Sequence, residues 1–323
     1  MSELSTLQTD LLAWFQANGR DLPWRRTRNP YYILVSETML QQTQVDRVIP
    51  KYEAFLALFP TVEALASAST ADVIRSWQGL GYNRRAVNLQ RAAQAIVAAG
   101  YPADPAGFPA TPEGLRNLPG IGAYTSGAVA CFAFERDVAF LDTNIRRVVR
   151  RLLVGPEDAP PETNEQTLID YAQQLIPKGQ GWAWNQAIME LGALICSAAK
   201  PQCWRCPVNQ HCRAYAIWRE ANTQLDMWQP PVIKPRKKAA EQPFHTSNRY
   251  FRGRIIDALR ALETQQSLDL ASLGPQVKLD WVGNEQDLTW LAKLVNGLAQ
   301  DGLLIWQQQP EQELADWSVR LPA

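Results

Sequence analysis

From about Leu7 to Trp218, apolar residues recur at intervals of three and four, as in "LLAWFQ", "VIPKYEAFLALF" and "AVNLQRAAQAIVAA". That is the period of a helix with one buried face. Alternation at every second residue is scarce, so the pattern predicts a nearly all-helical region. Helix starts are marked at Asn29-Pro30, Ser69-Thr70 and Thr111-Pro112. There a side-chain oxygen can cap the first N–H groups, and the two prolines suit a first helical position. After Leu225 the pattern stops. "MWQPPVIKPRKKAAEQPFHTSN" joins prolines and basic residues with few apolar positions, and reads as a linker. Beyond it, Ile255, Ile256, Leu259 and Leu262 form one helical stripe, and Leu288, Leu291, Leu294, Val295 and Leu298 another, closed by "DGLLIW", a turn into a short strand. Helices followed by a small hairpin suit a winged-helix-like α+β domain. The expected organisation is a mainly α core over 1–225, a linker over 226–247 and the winged-helix-like domain over 248–323. There is no internal repeat.

Length, at 323 residues, agrees with two domains. Formal net charge is zero, which excludes a protein that coats nucleic acid by bulk charge but leaves room for a local basic face. Basic residues do cluster: Arg20, Arg25, Arg26 and Arg28; Arg146, Arg147, Arg150 and Arg151; and "KPRKK" from Lys234. One such cluster is an ordinary solvated helix face. Three of them flanking other motifs point to nucleic acid. "LTWLAKLVNGLAQDG" has only Lys293 as a basic residue, and gives its helix little with which to read DNA. The N-terminus lacks the apolar run of a signal peptide, and no window reaches the ~18 apolar residues of a membrane span. A cytoplasmic setting without a membrane partner is expected.

Four of the five cysteines fall in "LICSAAKPQCWRCPVNQHCRA", at Cys196, Cys203, Cys206 and Cys212, with spacing C-x6-C-x2-C-x5-C. A disulfide scaffold would be short and would spread its cysteines; clustered thiols in a long chain and a reducing setting point to metal. Lys200, Arg205 and Arg213 lie beside them. Cys131, in "GAVACFAF", reads as a small core residue. "LPGIGAYTSGAVA" places Gly120 and Gly122 around Ile121. Such a pair allows a tight turn between two helices and leaves N–H groups bare at the start of the second, a setting that suits a phosphate. It is also a common helix turn. About 20 residues on, "FLDTNIRRVVRR" sets Asp142 close to four arginines that can meet a nucleic-acid backbone. In "VSETMLQQTQV", Glu37 sits among Val35, Met39, Leu40 and Val45. A carboxyl in apolar surroundings is pushed upward, as a general acid at neutral pH requires. A salt-bridged structural glutamate is the other reading.

The order and wording of "LPW", "SETMLQQTQV", "GLGY", "LPGIGAYT", "LDTN" and the cysteine signature resemble the helix-hairpin-helix DNA glycosylases, and most closely their MutY-type adenine branch. The resemblance runs from about Leu7 to Ala214. It implies a two-lobed helix-hairpin-helix core with an iron–sulfur cluster loop at 196–212, its four cysteines ligating a 4Fe–4S cluster; a structural zinc is the alternative occupant. It implies that Glu37 protonates the purine ring, that Asp142 stabilises an oxocarbenium-like sugar, and that Asn144 orients Asp142. Tyr124 stands where the related lyase branch has lysine, whose amine forms a Schiff base with the sugar; base removal without efficient strand cleavage follows. Gln42 and Tyr82 match residues that wedge into the duplex as the base flips out. Trp24, Arg25, Leu40 and Glu190 match the adenine pocket, although Glu190 in "AIMELGALIC" also suits helix packing. The implied partner is double-stranded DNA with a mispaired adenine, bound by a monomer, so the protein is expected in the cytoplasm and on the nucleoid.

Two features depart from the pattern. Thr143 stands where many adenine glycosylases have glycine, and residues 248–323 are too short for the Nudix-like domain that usually follows the catalytic part. Recognition of 8-oxoguanine would then fall to Gln42, Tyr82 and nearby groups, or to the tail. The expected function is removal of adenine opposite 8-oxoguanine or guanine. A G:T or G:U mismatch thymine or uracil glycosylase would use tyrosine at position 124 but would not be expected to keep Glu37 and "MLQQTQV". A non-catalytic iron–sulfur DNA-binding protein would not need Glu37, Tyr124 and Asp142 together.

Overall fold

The computed structural model describes residues 3–104, 107–157, 163–220, 243–263, 265–308 and 311–323. In chain order its elements are α1 (Glu3–Asn18), α2 (Pro30–Leu40), α3 (Val45–Leu58), α4 (Val62–Ser67), α5 (Thr70–Ser76), α6 (Arg84–Ala98), α7 (Pro112–Arg116), α8 (Ala123–Phe134), α9 (Thr143–Leu153), α10 (Glu165–Leu175), α11 (Gly181–Leu194), α12 (Arg213–Glu220), α13 (Asn248–Arg260), β1 (Leu268–Asp269), α14 (Leu270–Val277), α15 (Glu285–Gln300), β2 (Ile305–Gln307) and β3 (Ser318–Arg320). The expected caps are in place. Asn29 accepts from the Tyr31 N–H at 2.9 Å, Ser69 from Asp72 at 3.1 Å and Thr111 from Gly114 at 3.2 Å. Among the described residues up to Glu220 there is no strand, and no described helix is long and apolar enough to cross a membrane.

Two compact units form. The first takes Met1–Glu37, Ala110–Asn117 and Ile121–Lys237; the second takes Thr38–Pro109, Leu118–Gly120 and Lys238–Ala323. In the first, α11 packs on α1, α8 and α9, and α9 also meets α10 and α12. Leu11, Ala128, Val149, Trp184 and Leu191 are buried there. Each large side chain among them gains about 1.5–3 kcal/mol by leaving water.

The second unit brings α3–α6 together with the C-terminal module. The module runs α13–β1–α14–α15–β2–β3, and its sheet has the order β1-β3-β2 with antiparallel pairs such as Leu268 with Val319 and Trp306 with Val319. This is a winged-helix-like arrangement, but it does not stand apart. One hydrophobic cluster joins Ala71 and Ile74 of α5 and Val87 of α6 to Ile255, Ile256 and Leu259 of α13 and Val295 of α15. Carbonyls of Pro322 and Ala323 accept from the first N–H groups of α5, Ala71 at 3.0 Å and Thr70 at 3.3 Å. Compactness therefore divides the chain differently from composition, which set 1–225, 226–247 and 248–323 apart. The reason is size: a module this small closes a limited core alone, and its remaining apolar face is buried on α5 and α6. Of the expected linker, residues 226–242 lie outside the described residues.

Candidate active site

The first unit carries the acid. Pro30–Leu40 is apolar almost all round, so Ile33, Leu34 and Val35 are buried, and Glu37 with them at 3% exposure. Tyr124, in the first turn of α8, donates its hydroxyl to Glu37 Oε2 at 2.7 Å, with its ring edge-on to Phe140. Burial pushes the Glu37 carboxyl up to about 7; the Tyr124 hydrogen bond and Arg25 pull against this, and the charge of Asp142 adds to it. Burial also drives the Tyr124 hydroxyl well above its usual value, reinforced by Glu37 and Asp142. The charge of Asp142 is thus felt at both partners.

Asp142 is the N-cap of α9. Its Oδ1 accepts from the Ile145 N–H at 2.6 Å, and its Oδ2 from the Asn144 amide at 3.2 Å. Burial raises this carboxyl, while the bonds from Ile145 and Asn144 and the Arg147 cation work to keep it ionised. Asn144 is held in turn: its Oδ1 accepts from Arg147 Nη2 at 2.8 Å, and the same guanidinium reaches the carbonyls of Gly192 at 2.8 Å and Cys196 at 2.7 Å.

One turn further, Arg151 is 1% exposed and donates to the carbonyls of Ser197 at 2.7 Å and Ala198 at 2.9 Å and to Cys196 Sγ at 3.4 Å. It also pairs with Glu157 at 2.8 Å. Arg150 binds Thr163 and the Pro156 carbonyl, and Arg146 binds Glu165. These four arginines were expected to face a nucleic-acid backbone. Arg147 and Arg151 are committed to the protein and tie α9 to the cysteine loop, whereas Arg146 pairs with Glu165 at the surface with its side chain 41% exposed. Sequence reading missed that role because a basic run looks the same whether it meets solvent or buried carbonyls.

Cys196, Cys203, Cys206 and Cys212 line one cavity with Arg151 and Trp218. Burial raises the Cys203 thiol to about 12 and Cys212 to about 11, and Cys206 higher still, with the charges of neighbouring cysteines adding to each. Thiolates at these three positions therefore need a cation beside them. Among the described residues, no three of His, Cys, Asp and Glu close on a point as one metal ion requires. Lys200, Trp204, Arg205 and Arg213 are exposed on the same loop. Cys131 is buried, as expected.

Trp24 is buried in the short turn Pro23–Arg25. Glu190 and Arg25 are given to each other: Glu190 Oε2 accepts from Arg25 Nη2 at 2.7 Å, and its Oε1 from Arg20 Nε at 2.7 Å. Burial raises the Glu190 carboxyl, but Arg20 and Arg25 more than offset it and hold it below its usual value. Arg25 also donates to Gln186 at 2.7 Å.

The hairpin runs from α7 to α8. Gly120 has φ +77°, and a Cβ there would fall 2.6 Å from Asn88 Cβ, so both conformation and space require glycine. Gly122 is the N-cap of α8 and offers no side-chain acceptor to its N–H groups. In the second unit, Leu40 closes α2, and Gln42 and Tyr82 sit at φ +56° and +47°. Such a conformation costs a non-glycine residue roughly 1–3 kcal/mol and persists only where the surroundings enforce it. Arg85 does so. Its guanidinium binds the carbonyls of Thr38 at 2.7 Å and Gln41 at 2.6 Å on one turn, and of Leu80 at 3.0 Å and Gly81 at 3.2 Å on the other. Nothing in the local sequence announced this arginine.

Residues 35–174 match the family described as HhH-GPD superfamily base excision DNA repair protein. The adenine DNA glycosylase of Mycobacterium tuberculosis (strain CDC 1551 / Oshkosh) is 40% identical over 276 residues, 84% of this chain and 85% of that protein. That of Homo sapiens is 40% identical over 222 residues, 66% of this chain and 40% of that protein. Among solved structures, a thermostable thymine-DNA glycosylase superposes with a TM-score of 0.59 at 29% identity, covering 67% of this chain and 97% of that one. A trapped endonuclease III–DNA covalent intermediate does so at 0.55 and 20% identity, over 67% and 98%, a likeness of fold. The chain belongs to the HhH-GPD superfamily of base excision DNA repair proteins and, within it, to the adenine DNA glycosylase family.

Proposed function

We propose that this protein is a monofunctional DNA glycosylase of base excision repair, removing adenine mispaired with 8-oxoguanine or guanine by base flipping and acid-assisted cleavage of the N-glycosidic bond. One observation carries the reading. A carboxyl held near pH 7 in a dry site, Glu37, shares Tyr124 with the field of a second carboxylate, Asp142. Tyr124 occupies Glu37 Oε2 and leaves Oε1 to deliver a proton to the purine ring, so that the base departs neutral. Asp142, raised on balance by burial but with its ionised form favoured by Ile145, Asn144 and Arg147, stabilises the positive charge that develops on the sugar. A tyrosine at 124 has no amine for a Schiff base, so the abasic product stays uncleaved.

The other assignments follow from family membership. Gln42 and Tyr82 wedge into the duplex; Trp24, Arg25, Leu40 and Glu190 serve the adenine pocket, with Arg25 fixed by Glu190; the Gly120–Gly122 turn meets a backbone phosphate. Cys196, Cys203, Cys206 and Cys212 hold a 4Fe–4S cluster. Their shared cavity supports a metal centre at this place, and the spacing C-x6-C-x2-C-x5-C, the one the family uses for a cluster, favours it over zinc. When bound, the cluster supplies iron–thiolate bonds that fix the loop. The protein acts on double-stranded DNA as a cytoplasmic monomer.

The test uses duplexes carrying 8-oxoguanine:A, G:A, G:T and G:U, with and without alkali. Adenine release that needs alkali to break the strand is expected; release of thymine or uracil, or of no base, overturns the reading. Tyr124→Phe should still release adenine. Its hydroxyl stabilises the ionised Glu37, so its loss raises that carboxyl, and the alkaline fall of the pH–rate profile should move to higher pH. A fall that moves lower would show that Tyr124 does not set the acid.

A further inference from the structure

Helix α8 carries Tyr124 in its first turn and a buried Gly127 three residues on, along the same face. Glycine inside a helix is less stable than alanine. Close approach requires it here: a Cβ at Gly127 would fall 2.7 Å from Phe140 Cβ and 3.2 Å from its Cγ. The missing methyl lets Phe140, 2% exposed, press against α8 beside Tyr124. Its ring meets the Tyr124 ring edge-on, with centroids 5.5 Å apart at 76°, and the Phe132 ring likewise at 5.5 Å and 87°. Such pairs attract beyond the area they bury, because ring edges are positive and faces negative.

The backbone that presents Phe140 is fixed from α10 and α11. The Ala139 N–H donates to Gln173 Oε1 at 2.9 Å, and Gln173 Nε2 donates to the Asp137 carbonyl at 2.9 Å. Asn185 Nδ2 donates to the Val138 carbonyl at 3.2 Å, and Asp137 Oδ1 accepts from the Gly181 N–H at 2.8 Å. Phe140 is therefore a fixed wall. Tyr124 is not fixed by its own helix. It follows the exposed Gly122 and Ala123, where a tyrosine ring has more than one rotamer open to it. Its hydroxyl donates to Glu37 Oε2 at 2.7 Å. A hydrogen bond weakens steeply with angle and distance, so a ring free to turn would lend Glu37 only part of it.

We propose that Phe140 is a positioning residue for the acid: seated on Gly127, it holds the Tyr124 ring in the orientation that brings its hydroxyl onto Glu37. Phe140 acts through Tyr124 alone. The inference rests on the proposed acid role of Glu37, to which it adds what sets the strength of the Tyr124 bond.

Phe140→Leu keeps an apolar core side chain and removes the ring. A Tyr124 free to turn stabilises the ionised Glu37 less, so the carboxyl rises. The other groups that share charge with Glu37, Asp142, Arg25 and the Cys131 thiol, are the same in every variant. The alkaline fall of single-turnover adenine release should move up by about half a pH unit, the worth of one edge-on ring contact. A second readout needs no DNA. With carbon-13 at the glutamate carboxyls, the Glu37 resonance, identified by its absence in Glu37→Gln, should titrate higher by the same step. In a Tyr124→Phe background, where no hydroxyl is left to orient, Phe140→Leu should move neither midpoint. Gly127→Ala, whose Cβ displaces Phe140, should reproduce the upward step. The opposite sign overturns the inference: if Phe140 only kept the site dry, its loss would admit water, favour the carboxylate and lower both midpoints. Unmoved midpoints beside a lowered melting temperature would mark plain core packing and overturn it too, as would a shift that persists without the Tyr124 hydroxyl. Should the wild type release no adenine, the functional reading fails by itself, and the carboxyl titration still decides on Phe140.

Discussion

Glu37→Gln loses base release by roughly 10²- to 10⁴-fold, the span a positioned general acid contributes, while duplex binding stays near wild type. Glutamine has the shape of glutamate, and its carbonyl can accept the Tyr124 hydroxyl that now bonds Oε2 at 2.7 Å. What it lacks is the proton. Single-turnover release together with a binding titration checks both halves; near-normal turnover would remove the acid role from Glu37. The wild-type rate should fall as pH rises through about 7, where burial sets the carboxyl, and the residual rate of the variant should lack that fall.

The same residue links stability to pH. The folded protein holds the Glu37 proton more tightly than the unfolded chain, where the ordinary value of 4.5 applies. The stability gained from this proton is present in full below pH 4.5 and is lost as pH rises through about 7, on the order of 3 kcal/mol across the window. Glu37→Gln carries no such charge. Its melting temperature should therefore gain on wild type between pH 5 and pH 8. A gap that stays constant would mean that the carboxyl is not buried as a titrating group.

How far each part of the site could be read from sequence depends on whether its partners are local. Asp142 capping α9 is a three-residue matter, and so are Ser69 and Thr111; the cysteine spacing is likewise contained in one loop. Glu190 was different. It looked like either a pocket residue or a packing residue, and what decides its surroundings are Arg20 and Arg25, 170 and 165 residues earlier. No periodicity encodes that meeting. The stripes of α13 and α15 announced helices, but not that Ala71, Ile74 and Val87 would complete their core, because these are unremarkable in their own helices. The basic run of α9 was legible as charge and not as direction. Its one signal was Arg151, beside Val148 and Leu152 at the edge of the apolar stripe, where a solvated arginine is out of place.

Arg151→Met should lower stability by on the order of 3 kcal/mol and, with the proposed cluster bound, lose much of its iron. Methionine fills part of the volume against Trp218, whose ring the guanidinium now overlies at 5.6 Å, but it cannot donate to the Ser197 and Ala198 carbonyls or to Cys196 Sγ. The backbone before the cysteine cavity would then hold unpaired acceptors, and Glu157 would lose its partner. Arg151→Lys keeps one charge and no fork, so it should fall between methionine and wild type. Because Arg147 binds the Cys196 carbonyl with the same guanidinium that holds Asn144 against Asp142, a loosened loop should also slow base release in the folded fraction. The checks are thermal melting, the iron-to-protein ratio and release per folded molecule. A methionine variant with wild-type melting and full iron would show that the loop is held from elsewhere; intact release beside lost iron would show that α9 does not carry the loop's order to Asp142.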